Sequence, residues 1–243
     1  MSKKTFGELI PTGIPVVDEL IVGLPSDALI LIIGDPGSGF ITFFHQLMVR
    51  RGKSGIPAIY TSLDKPESEI QKEFIRFGWD PKDLKWQFND LSPTAKQRQS
   101  KMLKWDSDAV NIVSHELFRK IAEYRDDPSI STFDTCVNTL TFMLIQSSTK
   151  SVLRFINEYS GEIKGTGGWH FLTMIKGVHG IEIENLFSHY CDVVLEFAMT
   201  LNTETRLYER VLGIKKLPGV DSRVFPIEYG KSGIRPITTS KIQ

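Results

Sequence analysis

Apolar residues follow two rhythms in this chain, and the change from one to the other marks its organising stretch. From Ala28 to Ile33 six apolar residues run without alternation, as in a strand buried on both faces. From Phe40 onward, Phe40, Phe43, Phe44, Leu47 and Met48 recur at the spacing of one helix face. Between them stands Gly34-Asp35-Pro36-Gly37-Ser38-Gly39. The prediction is strand, glycine turn, helix, the layout of a phosphate-binding loop.

The same reading extends along the chain. Pro11 to Leu20, followed by Gly23-Leu24-Pro25, predicts a short helix bracketed by turns. Strands are predicted over Ala58–Leu63 and Trp86–Leu91, and a helix over Glu67–Phe77 with Ile70, Phe74 and Phe77 inward. Asp108 to Arg125 is amphipathic, with Val110, Val113, Leu117, Ile121 and Tyr124 on one stripe. Ile130 to Asp134 reads as a strand ending in an acid, and Ser151 to Glu158 as a helix. Trp169–Ile175 and Asp192–Thr200 follow as strands, after which Asn202-Thr203-Glu204-Thr205 predicts a hairpin turn into Arg206–Leu217. Val224–Tyr229 and Ile234–Ile237 complete the set. Alternating β and α followed by a β meander predicts an α/β fold: a mainly parallel central sheet flanked by helices, with a C-terminal antiparallel extension.

Composition narrows the function classes. At 243 residues with no linker-like stretch, one domain over residues 1–243 is expected. Lysine plus arginine equals aspartate plus glutamate at 29 each, so no basic excess advertises nucleic acid or a membrane surface. Cys136 and Cys191 lie in apolar contexts and Met1 to Glu8 carries no hydrophobic signal region, from which a cytoplasmic protein with no membrane partner is expected. His179, His189 and Cys191 match no zinc spacing, and no metal cluster is predicted there. Ser92 to Ser107 holds Lys96, Arg98, Lys101 and Lys104 with one aromatic, Trp105, and reads as a solvated connection.

A phosphate-binding loop works because backbone N–H groups and a helix N-terminus converge on the anion. Gly34, Asp35, Pro36, Gly37, Ser38, Gly39, Phe40 and Ile41 are the candidate nucleotide-binding residues. In G-x-x-x-x-G-K-[S/T] a lysine meets the β/γ-phosphates and a hydroxyl holds Mg²⁺. Those two positions are Phe40 and Ile41 in this chain.

Several ordered segments together resemble KaiC-type members of the RecA superfamily of P-loop ATPases, over nearly the whole chain. They are Thr12-Gly13-Ile14-Pro15 with Asp18-Glu19-Leu20, the loop Gly34 to Gly39, Tyr60-Thr61-Ser62-Leu63, Phe77-Gly78-Trp79-Asp80, Phe133-Asp134-Thr135, Asp192-Val193-Val194 and Lys216-Leu217-Pro218-Gly219. The resemblance implies a RecA-like P-loop NTPase fold, with ATP or ADP and Mg²⁺ as the cofactors if nucleotide binds. It places Asp134 as the Walker B aspartate and Mg²⁺ ligand, and Asp64 and Lys65 at the family's paired catalytic acids. It also implies a lysine and an arginine reaching into a neighbour's site, where this chain has Lys216 and Pro218.

Phe40, Ile41, Lys65 and Pro218 all depart from the family pattern in the direction of lost hydrolysis. Removing one electrostatic contact to a transition state costs about 3 to 4 kcal/mol. The expectation is a pseudo-ATPase with a degenerate Walker A motif, acting in regulation or assembly as a homo-oligomer or beside an active paralogue. Two alternatives stand beside it. One is an ATP-binding protein with weak ATPase activity, using Lys65 in place of the lost loop lysine together with Asp134; the other is a single-stranded nucleic-acid-binding RecA paralogue, using Ser92–Ser107 or the loop Lys176–Glu184.

Overall fold

The computed structural model describes residues 7–93, 109–231 and 233–237. In chain order the elements are β1 (Leu9–Ile10), α1 (Pro15–Ile21), β2 (Leu24–Pro25), β3 (Ala28–Gly34), α2 (Phe40–Lys53), β4 (Ala58–Ser62), α3 (Glu67–Arg76) and a 3₁₀ turn at Pro81–Asp83. There follow β5 (Trp86–Asp90), α4 (Ala109–Asp126), β6 (Asp134–Asn138), α5 (Leu140–Gln146), α6 (Thr149–Glu162), β7 (Trp169–Ile175), α7 (Ile181–Tyr190), β8 (Val193–Leu201), β9 (Tyr208–Lys216), β10 (Arg223–Gly230) and β11 (Gly233–Pro236).

Nine strands form one sheet in the order β11-β10-β9-β8-β3-β7-β6-β4-β5. The strands from β8 to β5 in that order run parallel, whereas β8-β9-β10-β11 pair antiparallel. The expected architecture is the observed one. β3 sits between β7 and β8, and all seven of its residues are buried. Its continuous apolar run serves two cores at once. Ala28, Ile30 and Ile32 join Phe43, Phe44, Leu47 and Met48 of α2, while Leu29, Leu31 and Ile33 join Val113, Leu117, Phe155 and Ile156 of α4 and α6.

The helix after β3 is pinned by its aromatic stripe. Phe43 meets Phe197 of β8 at 5.2 Å between centroids, and Phe44 meets Phe171 of β7 at 5.3 Å. The β8–β9 turn lies where the sequence predicts it: the Asn202 carboxamide oxygen accepts from the N–H groups of Glu204 and Thr205, both at 3.0 Å. Cys136 and Cys191 are buried, free thiols, and burial pushes both up, Cys191 to about 12.

One expectation fails, and two helices go unforeseen. The strand expected over 130–134 runs instead from Asp134 to Asn138, so the acid opens the strand. The reason is packing: Ser131 and Thr132 belong to the approach, and Cys136 and Val137 are the buried apolar pair. The chain also crosses Gly168 at close range, since a Cβ there would fall 1.8 Å from the Phe133 carbonyl oxygen. The helices α5 and α7 go unpredicted, the first because Leu140-Thr141-Phe142-Met143-Leu144-Ile145 is short and nearly all apolar, which fits a strand as well.

Candidate functional site

The parallel strands all end on one side. Gly34 is level with Ile175 of β7, and Ser62 of β4 with Asn138 of β6. In open α/β sheets the crevice beyond these carboxyl ends is where ligands bind. The glycine loop stands there, tied to β8: Asp35 N–H donates to the Phe197 carbonyl at 3.0 Å, and the Asp35 carboxylate accepts from Met199 N–H at 2.9 Å. Ser38 N–H donates back to the Asp35 carbonyl at 3.0 Å, closing the turn. Gly39 caps α2 at φ +94°, and a Cβ there would collide with Ile234 Cδ1 at 2.2 Å, so the C-terminal hairpin packs on the loop itself. Among the described residues no protein group accepts from the N–H groups of Phe40, Ile41 and Thr42, which leaves the donors of this helix N-terminus without a protein partner.

The side chains around the loop define a cleft of about 720 Å³. Phe40, Ile41 and Thr42 form its floor, and Lys65, Glu73, Arg76, Phe77, Arg210, Tyr229 and Lys231 its sides. Phe40 is only 6% exposed and its ring lies against the first glycine of the loop: a Cβ on Gly34 would be 2.8 Å from three atoms of Phe40. An apolar ring thus sits where the loop would otherwise receive a cationic chain.

Asp64 and Lys65 follow β4 and part company. Asp64 is exposed as a residue, yet its carboxyl is crowded by protein, accepting from Asn138 Nδ2 at 3.1 Å and from Ser62 Oγ at 3.4 Å. Desolvation raises its pKa, with the Lys65 charge opposing. Lys65 turns to Glu73 of α3 in a short ion pair. Partial burial works against its ammonium, but the hydrogen bond and charge of Glu73 outweigh that and hold its pKa above the usual lysine value. Glu73 also lies 3.7 Å from Nδ1 of the buried His45, whose Nε2 meets the Tyr60 hydroxyl at 2.9 Å. Burial, aided by the Lys65 charge, lowers His45 to about 3 and keeps it neutral.

Asp134 does not join this site. It is level with Ala58 at the start of β6, beside Trp169, which is level with Ala28 at the start of β3. Gly34 stands six residues further along β3, about 20 Å away at the rise of a strand. The Asp134 carboxylate is 1% exposed and takes both N–H groups of the Arg51 fork, Nε at 2.9 Å and Nη2 at 2.8 Å, plus Trp169 N–H at 2.8 Å. Its role is an internal ion pair at the opposite end of the parallel strands from the loop, and the expectation of a metal ligand is corrected accordingly.

The end of β6 on the loop's side of the sheet is Asn138, a buried residue level with Ser62. Its Oδ1 accepts from Thr173 Oγ1 at 2.6 Å and its Nδ2 donates to Asp64. Mg²⁺ demands near-octahedral oxygen ligation and usually a carboxylate. Here the helix supplies Ile41 in place of a hydroxyl, Thr42 one position on is half-buried, and the strand end supplies an amide already engaged on both atoms. These residues do not fit a resident Mg²⁺. Among the described residues no cluster of three or more His, Cys, Asp or Glu is placed to hold a metal, and His179, His189 and Cys191 form none.

Lys216 is consumed within its own chain. Its ammonium donates to the carbonyls of Ser188, His189 and Cys191 at 3.3, 3.0 and 2.5 Å, capping the C-terminus of α7. In the loop after β7, Lys176 pairs with Glu196 at 2.6 Å and Gly177 N–H donates to the Glu184 carboxylate at 2.5 Å. Most of the Ser92–Ser107 stretch lies outside the described residues. Among the described residues no helix is long and apolar enough to cross a membrane.

Comparison with known proteins bears on the family and the fold. The family profile described as ATPase: KaiC matches residues 10–240. A UPF0273 protein of Pyrococcus horikoshii is 36% identical over 74 residues, 30% of each chain. The circadian clock protein KaiC3 of Synechocystis is 33% identical over 96 residues, 37% of this chain and 19% of that one. The chain thus matches under a third of the length of these curated relatives. The crystal structure of a KaiC-like protein from Pyrococcus horikoshii superposes with a TM-score of 0.74 at 18% identity, covering 96% of this chain and all of that one. That likeness concerns the fold, the RecA-type arrangement of a P-loop domain.

Proposed function

The chain belongs to the KaiC family of ATPases, and from that premise we propose that it is a non-hydrolysing member, a pseudo-ATPase that works by binding and assembly. One observation carries the reading: the strand end that faces the loop presents Asn138, an amide with both atoms engaged, where an Mg²⁺-holding carboxylate is required. Ile41 removes the hydroxyl ligand, Phe40 fills the place of the loop cation, and Lys65 stands as a glutamate-paired ammonium where a base would orient water. At about 3 to 4 kcal/mol for each lost transition-state contact, two such losses already exceed a factor of 10⁴ in rate.

The alternative of hydrolysis through Lys65 and Asp134 asks two residues to cooperate from opposite ends of the neighbouring strands β4 and β6, one held by Glu73 and the other by Arg51. The nucleic-acid alternative loses its best described cation, because Lys176 is held by Glu196. The binding reading is favoured by what remains intact: the loop, the unpartnered N–H groups of the helix N-terminus and the cleft. Assembly with another copy or with an active relative is part of the proposal. In such an assembly Lys216, capping its own α7, would bring no ammonium to a neighbour's nucleotide.

The test is single-turnover hydrolysis of γ-labelled ATP with excess Mg²⁺ and purified protein. Phosphate release indistinguishable from buffer is expected. Release that is abolished by Asp64→Ala would overturn the reading.

A further inference from the structure

We infer that the cleft takes a di- or triphosphate group without a divalent metal, held by Arg210, Arg76 and Lys231. The inference rests on the reading that the Mg²⁺ seat is gone, and it says what the site binds instead.

Charge is the first ground. Lys65 and Glu73 pair across the cleft and cancel, while among the described residues no carboxylate lies within ion-pair distance of Arg76, Arg210 or Lys231. Three cations from three different elements, α3, β9 and the turn after β10, therefore converge on one concavity without a counter-charge. Cations on a solvated face commonly stand alone, but these line the same cleft as the N-terminal residues of α2, where their fields add.

Preorganisation is the second ground. Trp79 stacks on Phe77 at 5.0 Å between centroids, Phe77 on Tyr229 at 6.4 Å, and the Arg210 guanidinium lies 4.8 Å from the Tyr229 centroid. At its inner side Arg210 Nε donates to the Gly37 carbonyl at 3.0 Å, on the loop itself. An aromatic column and a loop carbonyl thus fix one edge of the guanidinium and leave its Nη edge for a ligand. A planar fork is the geometry that matches phosphate oxygens in pairs.

The loop supplies a third ground. With the crown of the loop filled by Phe40, the anion meets the loop at its rim, where the N–H groups of Ile41 and Thr42 and the Arg210 fork lie. A bound Mg²⁺ would find Ile41 where the loop's hydroxyl ligand belongs and the engaged Asn138 amide at the end of β6, and it would cancel charge on the ligand that the three cations otherwise meet. Metal is therefore a competitor for this ligand.

The experiment is calorimetric titration of ADP, ATP and inorganic tripolyphosphate into the purified chain, each once in EDTA and once in excess Mg²⁺. Binding in EDTA that weakens about tenfold or more in Mg²⁺ is expected. Equal binding of tripolyphosphate assigns recognition to the phosphates alone, and binding of the nucleotides only assigns it to phosphates carrying a nucleoside; both support the site. Arg210→Gln and Lys231→Gln should each weaken binding in EDTA by about tenfold, while Lys150→Gln at the start of α6 leaves it unchanged. Arg76→Gln, at an exposed position, repeats the test should Arg210→Gln disturb the fold. No binding in EDTA, or binding that requires Mg²⁺, overturns the inference. In that case absent turnover still leaves the non-hydrolysing reading standing, whereas Mg²⁺-dependent binding with turnover removes both.

Discussion

Replacing Asp134 by alanine distinguishes an internal ion pair from a metal ligand, because the two roles predict losses in different assays. The substitution removes one acceptor from three donors, Arg51 Nε, Arg51 Nη2 and Trp169 N–H. Arg51 is 11% exposed in its side chain and its guanidinium lies 4.6 Å from the Trp169 ring centroid, so it cannot turn to water without leaving that ring. Breaking a buried pair from one side strands the other charge and costs about 3 to 5 kcal/mol. Against a total of about 5 to 15 kcal/mol for a domain, that is a large share of the stability. Urea unfolding should show the midpoint falling with little change in slope, and Arg51→Leu combined with Asp134→Ala should recover part of the loss, since no charge then stays buried alone. Ligand binding to the folded Asp134→Ala protein should match the parent, the cleft being about 20 Å away along β3. An Asp134→Ala protein of parental stability with altered nucleotide affinity would refute the reasoning.

Other outcomes follow from the same geometry. Lys216→Ala should cost about 2 kcal/mol in urea unfolding by uncapping α7, and a neutral result would mean that this ammonium does not serve the helix. Gly39→Ala places a Cβ against Ile234 at a left-handed φ, so the melting temperature should fall as the C-terminal hairpin is pushed off the loop; an unchanged melting temperature would contradict the contact. His45 and His170 are both lowered by burial to about 3, so each is neutral when folded and protonates near its ordinary value when unfolded. That stability is complete above the unfolded pKa and is lost as pH falls toward the folded one, at about 1.4 kcal/mol per pH unit for each histidine. Unfolding free energies from urea titrations at pH 7.5 and 5.5 should therefore differ by roughly 3 kcal/mol from these two residues, and equal stabilities would deny their burial.

What was legible in the sequence follows from how far apart the interacting residues are. β3 and α2 could be read because both periodicities are local, and the glycine loop because positive φ selects its residue. The antiparallel end was readable from the turn chemistry of Asn202. Asp134 misleads because an acid after Phe133 looks like the end of an apolar strand, while the partner that explains it, Arg51, lies 83 positions earlier. Arg51 itself looks sufficient as a helix-terminal cation, so its second role is hidden. Asn138 left no signal at all, since an absent carboxylate is found only once the strand's direction and register are known. The convergence of Arg76, Arg210 and Lys231 is likewise a product of the fold, which brings α3 and the C-terminal hairpin to one loop.

The most direct test of the central claim compares the native chain with a restored variant carrying Phe40→Lys, Ile41→Thr, Lys65→Glu and Asn138→Asp, both in single-turnover ATP hydrolysis with Mg²⁺. The account predicts no release of phosphate by the native chain and measurable release by the restored one. Turnover by the native chain at the rate of the restored variant would contradict it.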